Sequence, residues 1–129
     1  MVDYLDTSAF MKLVRSEPET RALRQQMSSG AELVSSALLL VEGRRAAARY
    51  GALALTRARA ALSAITLLPL DDGALEHAAE LKPAALRSLD ALHLAAALSV
   101  GEDLRSFYCY DERLAGAALT LGLDVRDPA

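Results

Sequence analysis

The stretch VDYLDTSAF, at residues 2–10, decides the fold because it predicts a short strand that passes directly into a helix. Its first five residues are largely apolar, favour β-structure and end on Asp6. Thr7 or Ser8 can cap a helix that begins at once and continues to about Val14. A strand, an acid and a helix in immediate succession are typical of the opening unit of an α/β protein.

The same alternation continues along the rest of the chain. Asp71 and Asp72 are expected to begin one helix, and Ser88 is expected to cap another. Strands that alternate with helices favour a parallel sheet covered on both faces. The sequence therefore predicts a single domain over residues 1–129, with a three-layer α/β/α fold and a mostly parallel central sheet. Further helices are predicted at about 17–28, 37–50, 53–64, 73–81, 89–100 and 111–121, and further strands at 33–35, 65–70, 106–110 and 123–125.

Composition narrows the range of functions. The chain has 129 residues, of which 53% are hydrophobic, so it can bury the core of one domain. Aromatic residues make up 5% and Trp is absent, which disfavours a surface that stacks the bases of a single-stranded nucleic acid. The one cysteine, Cys109, lies in an apolar run, so we interpret it as a buried hydrophobic residue rather than a catalytic thiol.

The sequence carries no sign of secretion or membrane insertion. The N-terminus has an acid at position 3 and no basic region before an apolar stretch. No apolar run reaches the ~20 residues that a membrane span needs. A single cysteine is also typical of a reducing compartment. We therefore expect a cytoplasmic protein without a membrane partner.

The overall charge is unexpected for a protein that binds nucleic acid. The net charge is -3, from 14 basic and 17 acidic residues, whereas such proteins usually carry a basic surface. Two explanations stay open at this point. Either the chain has no nucleic-acid partner, or several acids are clustered and hold cations in an acidic pocket edged by arginine.

Four acids lie where the predicted fold would place a site. Asp6 ends the first strand and Asp111 follows the fourth, and the carboxyl ends of parallel strands are where such sheets bind ligands. Glu42 and Asp90 lie within otherwise apolar helices, where an acid without a partner would be destabilising. Together the four predict an acidic site at one edge of the sheet.

Each acid also has an ordinary structural interpretation. Asp6 would be a strand-end turn residue and Asp111 a helix cap. Asp90 would be a first-turn acid favoured by the helix dipole. Glu42 would be an exposed partner of the arginines that follow it on its helix. The functional hypothesis depends on the four acids lying together.

Converging carboxylates repel one another unless a cation lies between them. Hard oxygen ligands suit Mg²⁺ or Mn²⁺, and the chain has no Cys/His set for zinc. A bound divalent cation suits the attack of water on a phosphodiester. It would also explain how an acidic protein could act on an anionic polymer.

Four segments resemble PIN-domain proteins of the VapC toxin type in their order and spacing. The resemblance extends from about residue 2 to 125, and LDTS, DALHLA and YDERL together make it specific. The segments are YLDTSAF (4–10), LLLVEGRRA (38–46), SLDALHLAAA (88–97) and YCYDERLAGAA (108–118).

The resemblance implies a metal-dependent endoribonuclease that serves as the toxin of a toxin–antitoxin pair. It implies an α/β/α fold, RNA as the substrate, a homodimer, and inhibition by an antitoxin whose C-terminal segment covers the active site. Ser8 would orient a ligand or water beside the site. The residues implied to bind Mg²⁺ or Mn²⁺ are Asp6, Glu42, Asp90 and Asp111.

One position departs from the pattern. Proteins of this type commonly carry Thr two residues before the last acid, and here that residue is Cys109. Loss of the hydroxyl is expected to weaken the positioning of Asp111 or of a phosphate, without removing a carboxylate.

Several neighbouring residues are secondary candidates. We interpret His93, three residues after Asp90, as a packed histidine that supports this acid rather than as a proton shuttle. Arg45 and Arg49 share a helix face, and they are equally well explained as contacts to RNA or antitoxin and as ordinary surface residues. Glu112 is interpreted as a first-turn helix acid.

Two other functions compete with the nuclease. A catalytically silent module of the same fold would bind only protein, although the presence of all four acids argues against it. A phosphotransfer domain would use Asp6 as nucleophile, but such chemistry typically needs a lysine at a later strand end. The only lysines, Lys12 and Lys82, do not lie at one.

Overall fold

The central sheet of the protein is parallel throughout. The computed structural model describes residues 1–28 and 30–129, and in that part of the chain five strands form one sheet in the order β3-β2-β1-β4-β5. Every pairing between neighbouring strands is parallel. The strands are β1 (Val2–Leu5), β2 (Glu32–Ser36), β3 (Thr66–Leu68), β4 (Leu104–Tyr108) and β5 (Val125–Arg126).

Helices cover both faces of this sheet, which confirms the predicted three-layer α/β/α fold. One core packs Leu5 and Tyr108 against α1 to α4, and the other packs Tyr4 and Phe107 against α6 and α7. No helix in the described part is long and apolar enough to cross a membrane. The helices are α1 (Thr7–Val14), α2 (Thr20–Met27), α3 (Leu38–Ala48), α4 (Ala52–Leu62), α5 (Asp72–Glu80), α6 (Ser88–Ser99) and α7 (Glu112–Thr120).

The starts of two helices differ from the sequence prediction. Asp6, rather than Thr7 or Ser8, caps α1 by accepting a hydrogen bond from the backbone N–H of Ala9 at 2.9 Å. Ser88 is the first residue of α6 and not its cap, because the extended backbone turns into the helix at Arg87. The cap that Asp71 was expected to provide for α5 is confirmed, since its carboxylate accepts from Ala74 N–H at 2.8 Å.

Strand β4 lies two residues earlier than predicted. It begins at Leu104 and ends at Tyr108, so Cys109 and Tyr110 already lie beyond it. The polar Arg105 belongs to the strand because it pairs with the fully buried Asp3 of β1, with N–O distances of 2.9 and 2.5 Å. A register irregularity at this point of the β1–β4 pairing accompanies the contact. The predicted strand at 106–110 leaves Arg105 outside it.

The path of the chain brings helix starts to the same edge as strand ends. α1 follows the carboxyl end of β1, α3 follows β2, and α7 follows β4. α6 precedes β4 and runs back across the sheet, so its N-terminus also lies at the carboxyl edge. This edge is where open parallel α/β sheets usually hold their sites.

Gly43 allows α3 to pack closely on α1. A Cβ at this position would lie 2.7 Å from Cε2 of Phe10, a fully buried side chain. Gly43→Ala is therefore expected to lower the free energy of unfolding by about 1–3 kcal/mol, the usual effect of overpacking a core. Urea denaturation followed by circular dichroism measures the change.

Gly116→Ala is the matched control, because Gly116 is also helical and a Cβ there would meet nothing within 4 Å. It is expected to raise the free energy of unfolding by about 0.5–1 kcal/mol, since alanine favours helix over glycine. Equal effects of the two substitutions would contradict the close packing at Gly43.

Candidate active site

Asp6 lies at the centre of the carboxyl edge, directly after the central strand. Its side chain caps α1, yet the residue is only 3% exposed. The hydroxyl of Ser8 lies 2.7 and 2.9 Å from the two carboxylate oxygens and donates to them. Ser8 Oγ in turn accepts from the backbone N–H of Tyr110 at 2.8 Å, which ties α1 to the segment after β4. Ser8 therefore orients Asp6, and its predicted role towards a ligand or water stays a prediction.

Burial dominates the electrostatics of Asp6. It raises the pKa of the carboxyl above its usual range, although the hydrogen bonds from Ser8 and from Ala9 N–H act in the opposite direction. The positive end of α1 also favours the charged form. Asp6 is thus a carboxylate that gains strongly from any cation brought close to it.

Cys109 takes part in this arrangement. Its Sγ lies 3.2 Å from Oδ2 of Asp6 and 3.4 Å from the backbone oxygen of Asp111, and it is 1% exposed. Burial raises the pKa of the thiol, so the proton stays on sulfur and is available as a donor. The thiol therefore makes the contact that a threonine hydroxyl could make here, with the weaker donor strength of sulfur.

Glu42 is held by a chain of buried groups. Its Oε1 accepts from the Thr7 hydroxyl at 2.7 Å and lies 2.9 Å from Nε2 of His93. On the other side of the ring, Nδ1 of His93 is 2.7 Å from the Tyr4 hydroxyl, which accepts from the backbone N–H of Ser36 at 3.0 Å. With the proton of His93 on Nε2, every group in this chain has a hydrogen-bond partner: Nε2 donates to Glu42, and the Tyr4 hydroxyl donates to Nδ1.

This chain sets the protonation of Glu42. Partial burial raises the pKa of the carboxyl, but the hydrogen bonds from His93 and Thr7 outweigh it and hold the pKa below its ordinary value. The structure thus assigns Glu42 buried partners instead of the arginines that follow it on α3. His93 supports Glu42 and not Asp90, because its imidazole points towards β1 and α3.

Arg87 joins the other two acids. Its Nε donates to Oδ2 of Asp90 at 2.9 Å, and its Nη2 donates to Oδ2 of Asp111 at 3.0 Å. Asp90 is 8% exposed and lies in the first turn of α6, whereas Asp111 caps α7 through Oδ1, which accepts from the N–H groups of Arg113 and Leu114. Sequence reasoning anticipated an arginine at the edge of an acidic pocket but did not single out Arg87.

The signal for Arg87 was present in the sequence. It lies three residues before Asp90, a spacing that lets side chains meet at the start of a helix. Its second partner is 24 residues away in the chain, so that contact depends on the fold. Thr7 and Tyr4 were missed for the same reason, because their contacts join residues 35 and 89 positions apart.

Two cavities border the acids. A small cavity of about 180 Å³ is lined by Glu42, Arg87 and Asp90, together with the first turn of α6. A larger cavity of about 550 Å³ lies between the start of α6 and α7. Its wall is mostly apolar, and Arg87, Asp90, Glu112 and Arg113 supply its charges. Arg87 and Asp90 line both cavities.

The positions of the acids limit how well the site could hold a divalent cation. In residues 1–28 and 30–129, no three side chains of His, Cys, Asp or Glu stand close enough together to hold a metal ion. Carboxylate oxygens are nevertheless the donors that Mg²⁺ and Mn²⁺ prefer. The Arg87 guanidinium shows that a positive charge is accommodated between Asp90 and Asp111. The chemistry of the carboxylate donors therefore fits a divalent cation, whereas their present spacing does not bring three of them to one ion among the described residues.

The remaining candidates lie outside this cluster. Arg45 is exposed on α3, and Arg49 is exposed at the C-cap that follows the helix. Glu112 is an exposed first-turn acid of α7 and lines the larger cavity.

The fold and the site define an α/β domain that carries an acidic site at the carboxyl edge of a parallel sheet. A family model described as PIN domain matches residues 4–118. The chain therefore belongs to the PIN-domain family, as the sequence resemblance indicated.

Its relatives within the family are VapC proteins. Ribonuclease VapC46 of Mycobacterium tuberculosis (strain ATCC 25618 / H37Rv) is 44% identical over 126 residues, which are 98% of this chain and 97% of that protein. Ribonuclease VapC47 of Mycobacterium tuberculosis (strain CDC 1551 / Oshkosh) is 42% identical over 130 residues, which cover 97% of this chain and 96% of that protein.

Two solved structures share the fold. Mycobacterium tuberculosis VapC20, described as a sarcin-ricin loop cleaving toxin, matches with a TM-score of 0.73 at 18% identity and covers 89% of this chain and 94% of its own. VapBC2 from Rickettsia felis, bound to a DNA fragment from its promoter, matches with a TM-score of 0.71 at 11% identity, over 100% of both chains.

The buried Asp6 gives stability a pH dependence. Because its pKa is raised in the folded state, the folded protein keeps a proton that the unfolded chain releases. Its contribution to stability is therefore fully present below the unfolded pKa, about 4, and is lost as the pH rises through the folded pKa. Asp6→Asn removes this titration. Relative to wild type, the variant is expected to gain stability as the pH rises from 4 to 7.

Urea unfolding at several pH values, in buffer with chelator, measures the difference between Asp6→Asn and wild type. Asp71→Asn is the control for the loss of an acid that caps a helix in solvent. If the difference in free energy of unfolding between Asp6→Asn and wild type stayed constant from pH 4 to 7, burial would not raise the pKa of Asp6.

Proposed function

We propose that the chain is a Mg²⁺- or Mn²⁺-dependent endoribonuclease that acts as the toxin of a VapBC-type toxin–antitoxin pair. The observation that carries the proposal is the position of Asp6, Glu42, Asp90 and Asp111 at one edge of the sheet, with a positive group between the last two. Two relatives that match nearly the full length of this chain are named as ribonucleases, and these names support the same activity.

The four carboxylates are the proposed ligands of the cation, and binding would draw at least three of them closer together than they stand among the described residues. A bound Mg²⁺ or Mn²⁺ would supply activation of water and stabilisation of the leaving oxygen of a phosphodiester. Ser8 and Ala9 N–H fix the orientation of Asp6. Thr7 and His93 keep Glu42 ionised at neutral pH, so that it can act as an oxygen ligand or accept a proton from water.

The substrate would meet positive groups around the acids. Arg87 and Arg113 line the larger cavity next to Asp90, where the phosphates of an RNA strand would contact them. Arg45 on α3 and Arg49 at its C-cap are exposed and would contact RNA phosphates or acidic groups of the antitoxin. The net charge of -3 is then compatible with RNA binding, because the acidic excess is partly neutralised by metal where the substrate binds.

The proposed partners are an antitoxin protein and a second copy of the chain. The structural likeness to a VapBC complex supports a partner of the antitoxin kind. Exposed apolar side chains on α3, in the turn after it and at the start of α4 would favour self-association, since such residues are common in interfaces. They are Leu40, Val41, Tyr50 and Leu53.

Cleavage of total cellular RNA tests the proposed activity. Purified wild-type protein is expected to cut RNA with Mg²⁺ or Mn²⁺ and to stop when chelator is added. Asp6→Asn, Glu42→Gln, Asp90→Asn and Asp111→Asn are each expected to lose more than about 100-fold in rate, because loss of a ligand should exceed the usual effect of removing a partner behind a ligand. Fragment mapping by sequencing gives the target.

Asp71→Asn is the matched control, because it removes an exposed acid that caps α5 away from the site, and it should cleave like wild type. Absence of cleavage with either metal, in folded protein free of antitoxin, would favour the alternative of a catalytically silent binding module. The observation that favours this alternative is that no three acid, histidine or cysteine side chains in residues 1–28 and 30–129 stand close enough together to hold a metal ion.

The proposed homodimer has a direct measurement. Light scattering coupled to gel filtration is expected to give twice the 13.7 kDa mass of the chain at micromolar concentration. Leu53→Lys places a charge on one of the most exposed apolar residues and should shift the mass towards the monomer if this face is covered. A monomer at all concentrations for the wild type would contradict the dimer.

A further inference from the structure

Arg87 occupies the position where a cation would neutralise Asp90 and Asp111. Both acids present their Oδ2 oxygen to the same guanidinium, at 2.9 and 3.0 Å. Asp111 uses Oδ1 to cap α7, which leaves Oδ2 as the oxygen directed at the positive charge. The two acids are thus aligned on one point by the starts of two different helices.

The acids are held more firmly than the arginine is. The side chain of Asp90 is 12% exposed and that of Asp111 is 31% exposed, whereas the side chain of Arg87 is 59% exposed. Arg87 precedes α6 in an extended conformation. Its long side chain can therefore leave the acids without moving a helix. Ion pairs to such an exposed side chain contribute little free energy, so a cation that binds the acids more strongly can displace it.

We propose that Arg87 is an internal competitor of the divalent cation: its guanidinium neutralises Asp90 and Asp111 in the metal-free protein and must leave them when the metal binds. The inference rests on the proposed metal-dependent function. It assigns to this chain a residue that sets metal affinity through competition, without itself being a ligand.

Competition makes metal binding and the Arg87 ion pairs mutually exclusive, so each weakens the other by the same factor. Removing the guanidinium should therefore tighten metal binding. Because the Arg87 side chain is 59% exposed, solvent weakens its ion pairs, and the effect is expected to be about threefold to tenfold in the dissociation constant. Arg87→Lys keeps the charge but cannot bridge both acids with a planar fork, so an intermediate effect is expected.

Titration of the purified protein with Mn²⁺ alone, by isothermal calorimetry, tests the proposal. Arg87→Gln is expected to bind Mn²⁺ about threefold to tenfold more tightly than wild type. Arg113→Gln is the matched control, because it removes the same charge from the same cavity wall, and among the described residues no ion pair joins Arg113 to an acid. It should change the dissociation constant by less than about twofold.

The outcomes separate the two proposals. Mn²⁺ binding by Arg87→Gln that equals or falls below that of wild type would overturn the competition while leaving the metal site standing. An equal gain in Arg87→Gln and Arg113→Gln would also overturn it, because long-range charge would then explain the effect. Absence of Mn²⁺ binding in every folded variant would contradict the metal-dependent function itself.

A crystal structure with Mn²⁺ gives an independent measurement that does not depend on activity. The guanidinium of Arg87 is expected more than about 4 Å from the carboxylates of Asp90 and Asp111, the distance beyond which an ion pair is no longer counted. A bound Mn²⁺ on these acids with both Arg87 ion pairs intact would overturn the proposal.

Discussion

The burial of Asp6 at the end of the central strand is the constraint on which the rest of the site depends. A carboxylate that is 3% exposed, at the middle of a five-stranded sheet, is destabilising unless polar partners surround it. The required donors come from Ser8 and Ala9 within α1 and from Cys109 beyond β4. These contacts fix how α1 leaves the sheet and how the chain leaves β4.

The structural and functional interpretations of the acids turn out to be compatible. Asp6 and Asp111 both cap helices, as the structural interpretation of Asp111 expected. Capping uses only one oxygen of the Asp111 carboxylate: Oδ1 accepts hydrogen bonds from the backbone N–H groups, whereas Oδ2 contacts Arg87. The cap also fixes the side chain at a positive helix end, where negative charge is favoured. A cap can therefore be a way of orienting a site residue.

Local patterns predicted those features whose causes are local. Asp6 could be placed because an apolar strand passes straight into a helix, and Asp71 because an exposed acid begins a helix. The order of strands and helices follows from the same periodicities. Ser8 could be placed beside Asp6 because it is two residues away in the chain. Each of these predictions needs only a few consecutive residues.

The partners of the acids could not be predicted in this way, because they come from distant parts of the chain. His93 shares a helix with Asp90, and helical spacing suggested that it supports this acid. Its ring instead lies between Tyr4 and Glu42, since α6 packs across the sheet with that face inward. Arg45, three residues after Glu42, satisfies the spacing for a pair with it, but the contacts of Glu42 Oε1 come from Thr7 and His93 instead. Helical spacing shows which residues share a face but not what that face meets.

Two arginine–carboxylate arrangements in this chain show why exposure decides what an ion pair can do. Arg105 holds Asp3 through two contacts, and Asp3 is fully buried, so losing the guanidinium would leave the negative charge of Asp3 inside the fold without these two contacts. Arg87 holds its two acids from the solvent side. Water or another cation can replace it at small cost, because those acids still have access to solvent or to a helix end. The same pair of functional groups is therefore structural at the sheet between β1 and β4 and exchangeable at the carboxyl edge.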